Sequence, residues 1–324
     1  MQTLPDPTKS PEQASRDLVQ HGVAFLADFL DAERTAVIRN RVLEQAALEI
    51  SQGVAETSET GSASELMFGN PNAEQARFQA VSFLPNKGRV FLDLMQDQRI
   101  LDCCTAAFAQ VPFYLAAQTA TIVRNGAKGQ VIHTDQQAWP FLTPVPIMLN
   151  FVLALSDFTP DMGSTRFVTG TKDGAPPRIG IDPATGLVGN LDAFDTLAPT
   201  LKAGSLAMWD ARLWHGQGAS TSDEDRIAII MSFVMHMVRA QDNLAASLHD
   251  NVYAELTDTE KRLLGFEVHY EYAGRVAPRH AGDTRANTNF AYPHVPELRA
   301  GSAARATPQK DMRIGHAATQ AQLV

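Results

Sequence analysis

The chain has 324 residues, 44% of them hydrophobic and 19% charged, with a formal net charge of −9. That is the composition of a soluble globular protein long enough to bury a large core, and its acidic balance argues against a duplex nucleic-acid surface or an anionic membrane surface as partner. Its two cysteines, Cys103 and Cys104, are adjacent and cannot build a disulfide framework, so a reducing cytoplasm is the expected setting.

The opening "MQTLPDPTKSPEQ" is polar and Pro-rich and has no basic-then-apolar signal pattern. "SPEQASRDLVQHG" then predicts a helix with Ser10 as N-cap, proline at the first helical position and a stop at Gly22. Apolar spacing over 31–50 predicts a second helix capped by Asp31, and 51–65 is a polar, small-residue loop. "GRVFLDLMQDQRILDCCTAAF" reads as one or two more helices, with the cysteine pair as buried packing. The first hundred or so residues are thus expected to be helical.

From about residue 112 the pattern becomes β-like. "FYLAAQTATIV", "QVIHTD", "PIMLNFVLALSDF", "STRFVTG", "AGSLAMWDARLWHG" and "RIAIIMSFVMHMV" are short apolar pieces separated by turn residues. Such a series suggests a sandwich or barrel rather than βαβ units. The longest apolar run, 227–238, is too short to cross a bilayer. Residues 170–202, rich in Gly, Pro and Asp, form a long connection of the kind that serves as a lid or binding loop. Helix returns over 241–267, and the segment from 300 has few large apolar residues. The expected organisation is one domain over 1–300: a helical part at about 10–110, a β core at about 112–240, a helical part at about 241–285, then a tail, 301–324.

The chemistry concentrates in the β region. In a strand, residues i and i+2 share a face, so His133 and Asp135 of "VIHTD" would point the same way. Facing the interior, they need a partner, and a divalent iron supplies one: two histidines and a carboxylate suit non-haem Fe(II) and leave positions open. The third ligand is expected to be His215 of "DARLWHGQGAS", which ends an apolar strand and is followed at once by a glycine. His236 sits in the last apolar run without a companion ligand. Arg226 opens that run, and arginine suits bidentate capture of a carboxylate. Iron beside such a clamp fits a 2-oxoacid cosubstrate. Trp209 and Trp214 read as packing.

"HTD" at 133–135, "GSTRFVTGTK" at 163–172, "GSLAMWDARLWHGQGAS" at 204–220 and Arg226 together resemble the phytanoyl-CoA dioxygenase-like branch of the Fe(II)/2-oxoglutarate oxygenases. The likeness runs over about residues 15–285. It implies a mainly β fold with flanking helices, a double-stranded β-helix (jelly roll, cupin-like) core. It also implies Fe(II), 2-oxoglutarate and O2 as cofactor and cosubstrates, with His133, Asp135 and His215 as catalytic metal ligands and Arg226 as the 2-oxoglutarate arginine. By the same resemblance Thr165 and, more weakly, Gln130 assist the cosubstrate. Met162-Gly163 departs from the Asn-Gly that members often show there. A halogenating subgroup lacks the carboxylate, so Asp135 favours oxygenation.

The expected reaction is oxidation, by default hydroxylation, of a small and largely apolar metabolite of secondary metabolism. An acyl-CoA substrate would want a basic cluster that the chain does not show, so acyl-CoA hydroxylation is an alternative reading, as is a non-catalytic jelly-roll binding protein. Trp139 and Phe141, in "QQAWPFLTPVP" directly after the ligands, are candidate substrate contacts. Members acting on natural products are often dimeric, so a homodimer is the expected assembly.

Overall fold

The computed structural model describes residues 3–59, 66–138, 142–181, 188–269, 274–276 and 284–286. By contacts, residues 1–274 form one compact unit and 275–324 another, and the fold described here is that of the first. In chain order it runs α1 (Pro11–His21), β1 (Val23–Leu26), α2 (Ala32–Ser51), β2 (Glu56–Ser58), β3 (Met67–Phe68), β4 (Phe78–Val81), α3 (Arg89–Met95) and α4 (Gln98–Ala107). Then come β5 (Phe113–Val123), β6 (Met148–Ala154), β7 (Thr165–Val168), β8 (Ile179–Ile181), β9 (Val188–Asn190), β10 (Leu206–Asp210), β11 (Trp214–Gln217) and β12 (Arg226–Met235). Three short helices follow, α5 (Leu244–Ser247), α6 (Asp250–Ala254) and α7 (Asp258–Leu263).

The first two helices form where their caps sit. Ser10 Oγ accepts from Gln13 N–H, Pro11 begins α1, and Gly22 ends it with φ of 78°, a left-handed conformation that costs glycine nothing. Asp31 accepts from Arg34 N–H at the start of α2. The expectation that the whole first hundred residues are helical is corrected by β1 to β4, all of which join the large sheet. "VAFL" of β1 is buried on both faces, so it shows no polar–apolar alternation, and β2 and β3 are only three and two residues long.

Eight strands form one antiparallel sheet in the order β1-β10-β6-β12-β5-β4-β2-β3, and β7 pairs with β11 in a second, smaller sheet. The isolated bridges His133↔His215 and Phe167↔Leu197 extend the smaller sheet on both sides. The outer face of the large sheet carries the helices: Gln79 donates to the Ala46 carbonyl of α2 and Gln118 to the Phe91 carbonyl of α3. Phe108, just past the end of α4, packs at a tilt against Phe113, and edge-to-face contacts continue from Phe113 to Phe233 and from Phe233 to Phe151. Phe108, Phe151 and Phe233 are fully buried, each contributing about 2–3 kcal/mol of transfer free energy. Cys103 and Cys104 are buried in α4, where desolvation pushes the Cys103 thiol up to about 11 and Cys104 well above its ordinary value, as inert packing requires.

The inner face of the large sheet meets the small sheet across Val23, Phe25, Val152, Ala207, Trp209 and Ala228 on one side and Phe167 on the other. Two facing antiparallel sheets with this connectivity make a double-stranded β-helix, or jelly roll. The chain crosses from the large sheet to the small one at a turn between β10 and β11, where Leu213 N–H donates to the Asp210 carbonyl and Arg212 pairs with the Asp210 carboxylate at 2.6 Å. That turn delivers His215 to the interior. No helix among the described residues is long and apolar enough to cross a membrane.

Candidate metal centre

His215 lies on β11, opposite Phe167 of β7 and flanked on its other side by His133. His133 N–H donates to the His215 carbonyl and His215 N–H to the His133 carbonyl, both at 2.9 Å, and the two rings are 4.6 Å apart. Gly216 permits the approach, because a Cβ there would lie 2.9 Å from the Val131 carbonyl.

Asp135 arrives by a different route from the expected one. The "QVIHTD" piece is not a strand: after the single bridge at His133, Asp135 opens a 3-10 turn, Asp135–Ala138. Strand parity therefore does not bring its carboxylate to the histidines; the turn does. Buried Gln136 pins that turn, with its backbone N–H on the Ala211 carbonyl and its side-chain oxygen accepting from Ile147 N–H. The segment before it is held by Asn190, at the end of β9. Its side chain accepts from Ile132 N–H (2.8 Å) and donates to the Ile132 carbonyl (2.7 Å), as a neighbouring strand would. The long 170–202 connection thus props the ligand segment.

The three side chains converge. Asp135 Oδ1 lies 3.4 Å from His133 Nε2 and Oδ2 lies 3.2 Å from His215 Nε2. Each Nδ1 lies 2.9 Å from the carbonyl two residues back, Val131 or Leu213, and so carries the proton in the neutral ring. Each Nε2 then presents a lone pair to a carboxylate oxygen, which calls for a cation or a shared proton between them. Burial alone would raise the Asp135 carboxyl, but His215 and His133 outweigh it and hold it below the usual carboxylate range. Burial likewise acts to lower His133, and Asp135 more than reverses it, leaving the imidazole raised.

All three ligand atoms lie within 4.8 Å of one another, the one such grouping among the described residues. Ligand atoms of an octahedral ion with bonds of about 2.1 Å lie about 3–4 Å apart, so a trio that converges within 4.8 Å has the size a first-row divalent metal needs, and two imidazoles with one carboxylate suit Fe(II).

Arg226, the first residue of β12, is 4% exposed and shares its strand face with Ala228, Ile230 and Ser232. One guanidinium nitrogen donates to Gln217 Oε1 at 2.9 Å, and the group lies 5.1 Å from the Phe158 ring centre. Its Nε has no hydrogen-bond partner among the described residues, and no carboxylate acts on it there. Burial lowers it to about 10, so it is a buried cation at neutral pH, an arrangement that an anionic ligand stabilises. Thr121, opposite Ala228 on β5, also has a buried hydroxyl without a partner among the described residues.

Gln217 links the cation to the metal side, two residues after His215 on the same strand face and directly opposite half-buried Thr165. The sequence reading missed it, although its i+2 spacing from His215 was available as a signal. Gln130 lies alongside: its backbone N–H donates to the Gln217 carbonyl and its side-chain oxygen accepts from Gln217 N–H. Trp139 and Phe141 lie outside the described residues. Trp209 packs inside, 5.1 Å from the His215 ring, whereas Trp214 packs outside the small sheet against Phe194 and donates to the Ala175 carbonyl. His236 falls just past the end of β12 rather than within a strand.

Comparison with known proteins finds relatives of this chain and of its fold. The sequence profile of the phytanoyl-CoA dioxygenase (PhyH) family matches residues 18–228. Dioxygenase af480 of Aspergillus fumigatus is 24% identical over 264 residues, covering 80% of this chain and 78% of that protein. The epimerase SnoN, in complex with Fe3+, alpha ketoglutarate and nogalamycin RO, aligns with a TM-score of 0.51 at 20% identity, covering 69% of this chain and 83% of SnoN. HygX from Streptomyces hygroscopicus, with nickel and 2-oxoglutarate bound, aligns with a TM-score of 0.53 at 14% identity, covering 71% and 89%.

Proposed function

The chain belongs to the phytanoyl-CoA dioxygenase (PhyH) family, non-haem Fe(II)/2-oxoglutarate-dependent dioxygenases, and on that premise we propose that His133, Asp135 and His215 hold its iron while Arg226 receives the far carboxylate of 2-oxoglutarate. With both bound, 2-oxoglutarate and O2 are converted to succinate and CO2 as a substrate C–H bond is hydroxylated. The observation that carries the reading is the pairing of a convergent two-histidine, one-carboxylate cluster with a buried arginine that no carboxylate neutralises among the described residues.

The residues divide the work. The Nδ1–H bonds to Val131 and Leu213 keep both Nε2 atoms available as ligands. Arg226 attracts the dicarboxylate and, because Gln217 holds the guanidinium, presents its remaining N–H groups in a fixed direction. Thr165, opposite Gln217, and Gln130, bonded to its main chain, flank that end of the cosubstrate. Val152, Ala228 and the other apolar side chains of the inner face pack as core between the two sheets and keep water from that side of the site. The acidic chain offers little to the phosphates of an acyl-CoA, and SnoN's complex with nogalamycin RO supports a small natural product.

The test is anaerobic loading with Fe(II) and 2-oxoglutarate, then admission of air. Succinate is expected, slowly alone and faster with substrate. No succinate from iron-loaded protein with any metabolite offered would end the enzyme reading.

A further inference from the structure

The two oxygens of Asp135 each have an imidazole neighbour, but only one is tied to the opposite sheet. Asn150 Nδ2 donates to Asp135 Oδ2 at 2.6 Å, and Ser232 Oγ donates to Asn150 Oδ1 at 2.7 Å. Asn150 and Ser232 are directly opposed on β6 and β12, and both are buried, at 2% and 4% exposure. The direction of this chain follows from the groups in it. An ionised carboxylate can only accept, so the amide nitrogen must face Asp135; the amide oxygen then faces Ser232, whose hydroxyl must donate.

We propose that Asn150, oriented by Ser232, is a positioning residue that occupies Oδ2 of Asp135 and so leaves Oδ1 as the oxygen offered to the metal. The inference rests on the reading of His133, Asp135 and His215 as an iron site. Its value to that site is a matter of vacancies. A carboxylate binding through both oxygens takes an extra position, whereas the two oxygens of a 2-oxoacid and one O2 together need three open ones. Asp135 itself stands on a short turn, and the ladder of the large sheet supplies the rigidity that the turn lacks.

The test measures metal binding rather than turnover. Apoprotein is titrated anaerobically with Fe(II), and the visible spectrum of the Co(II)-loaded protein is recorded as a report of coordination number. Asn150→Ala is expected to weaken Fe(II) binding about 10–100-fold and to change the Co(II) spectrum. Ser232→Ala should shift both in the same direction by less, and Ser232→Thr, which keeps the hydroxyl, should restore parent behaviour. An Asn150→Ala protein with parent circular dichroism, parent Fe(II) affinity and parent Co(II) spectrum would overturn the proposal. Should that variant not fold, Ser232→Ala decides alone: parent values in both measurements overturn it. Failure of the parent protein to bind Fe(II) would overturn the iron reading itself, and the relay with it.

Discussion

His133 and His215 exchange backbone hydrogen bonds, each N–H 2.9 Å from the other's carbonyl oxygen, so their rings leave one face of the small sheet as neighbours. The main chain itself holds these two ligands side by side. His215→Ala is therefore expected to cost at least about 100-fold in Fe(II) affinity while leaving far-UV circular dichroism unchanged, since the bridge uses no side-chain atom. Loss of the fold on chelation of the metal would contradict this.

Arg226→Ala should spare the metal and lose the cosubstrate. Truncating one partner of a buried charged interaction costs about 2–5 kcal/mol, so 2-oxoglutarate affinity should fall by a factor of about 30 or more. Titration of Fe(II)-loaded protein, followed by the charge-transfer absorption of the complex, measures it. Unchanged affinity would remove Arg226 from the site.

Asn190→Ala removes two hydrogen bonds to the Ile132 backbone, next to a ligand. A loss of about 1–3 kcal/mol is expected in urea unfolding, with a weaker hold on the metal. If stability falls and Fe(II) affinity does not, Asn190 supports the fold but not the site.

Protons and metal compete for His133 and Asp135. The bond between protonated His133 and Asp135 stabilises the apoprotein fully below the ordinary imidazole value of 6.5, and that contribution is lost as pH climbs through the raised folded value. The low-lying Asp135 contributes above the ordinary carboxylate range and gives way only in acid. Metal affinity should thus rise with pH through 6.5 and beyond. The gap in melting temperature between metal-loaded and apoprotein should widen from pH 6 to pH 8; a gap that narrows counts against a histidine-ligated ion.

Asp242 provides a pH effect away from the metal. Burial, aided by Glu56, pushes its carboxyl up to about 6, and its Oδ2 has no hydrogen-bond partner among the described residues. A raised carboxyl means the folded state keeps its proton longer, so stability from this group falls as pH rises from about 4 to 6. Asp242→Asn should gain about 1 kcal/mol above pH 6, after allowance for solvent screening, and nothing below pH 4. Melting temperatures at pH 4 and pH 7 check it.

The readable parts of the sequence were those with a local cause. Ser10, Pro11 and Gly22 bracket α1 because caps act within one turn, and Arg226 announced itself as a charge at the head of an apolar strand. "VAFL" was illegible because a strand buried on both faces loses its alternation. Asp135 was correctly grouped with His133 through a strand parity that the fold does not use. Asn150, Ser232 and Asn190 could not be found, since their roles depend on which strands become neighbours and in what register.

The strand order carries a consequence for biosynthesis. β12 is the last of the described strands of the large sheet to be made, yet it lies inside the order, between β5 and β6. A nascent chain that has not yet delivered it leaves β5 and β6 each with an unpaired edge that β12 later covers, and each is a template for association with other chains. The same strand brings Arg226 and Ser232, so neither the anion-binding end nor the support for Asp135 exists before it docks. Truncation anywhere ahead of residue 226 should therefore give an aggregating chain, not a weakened enzyme, and a chaperone that shields those two edges would act in the interval before the final strand inserts.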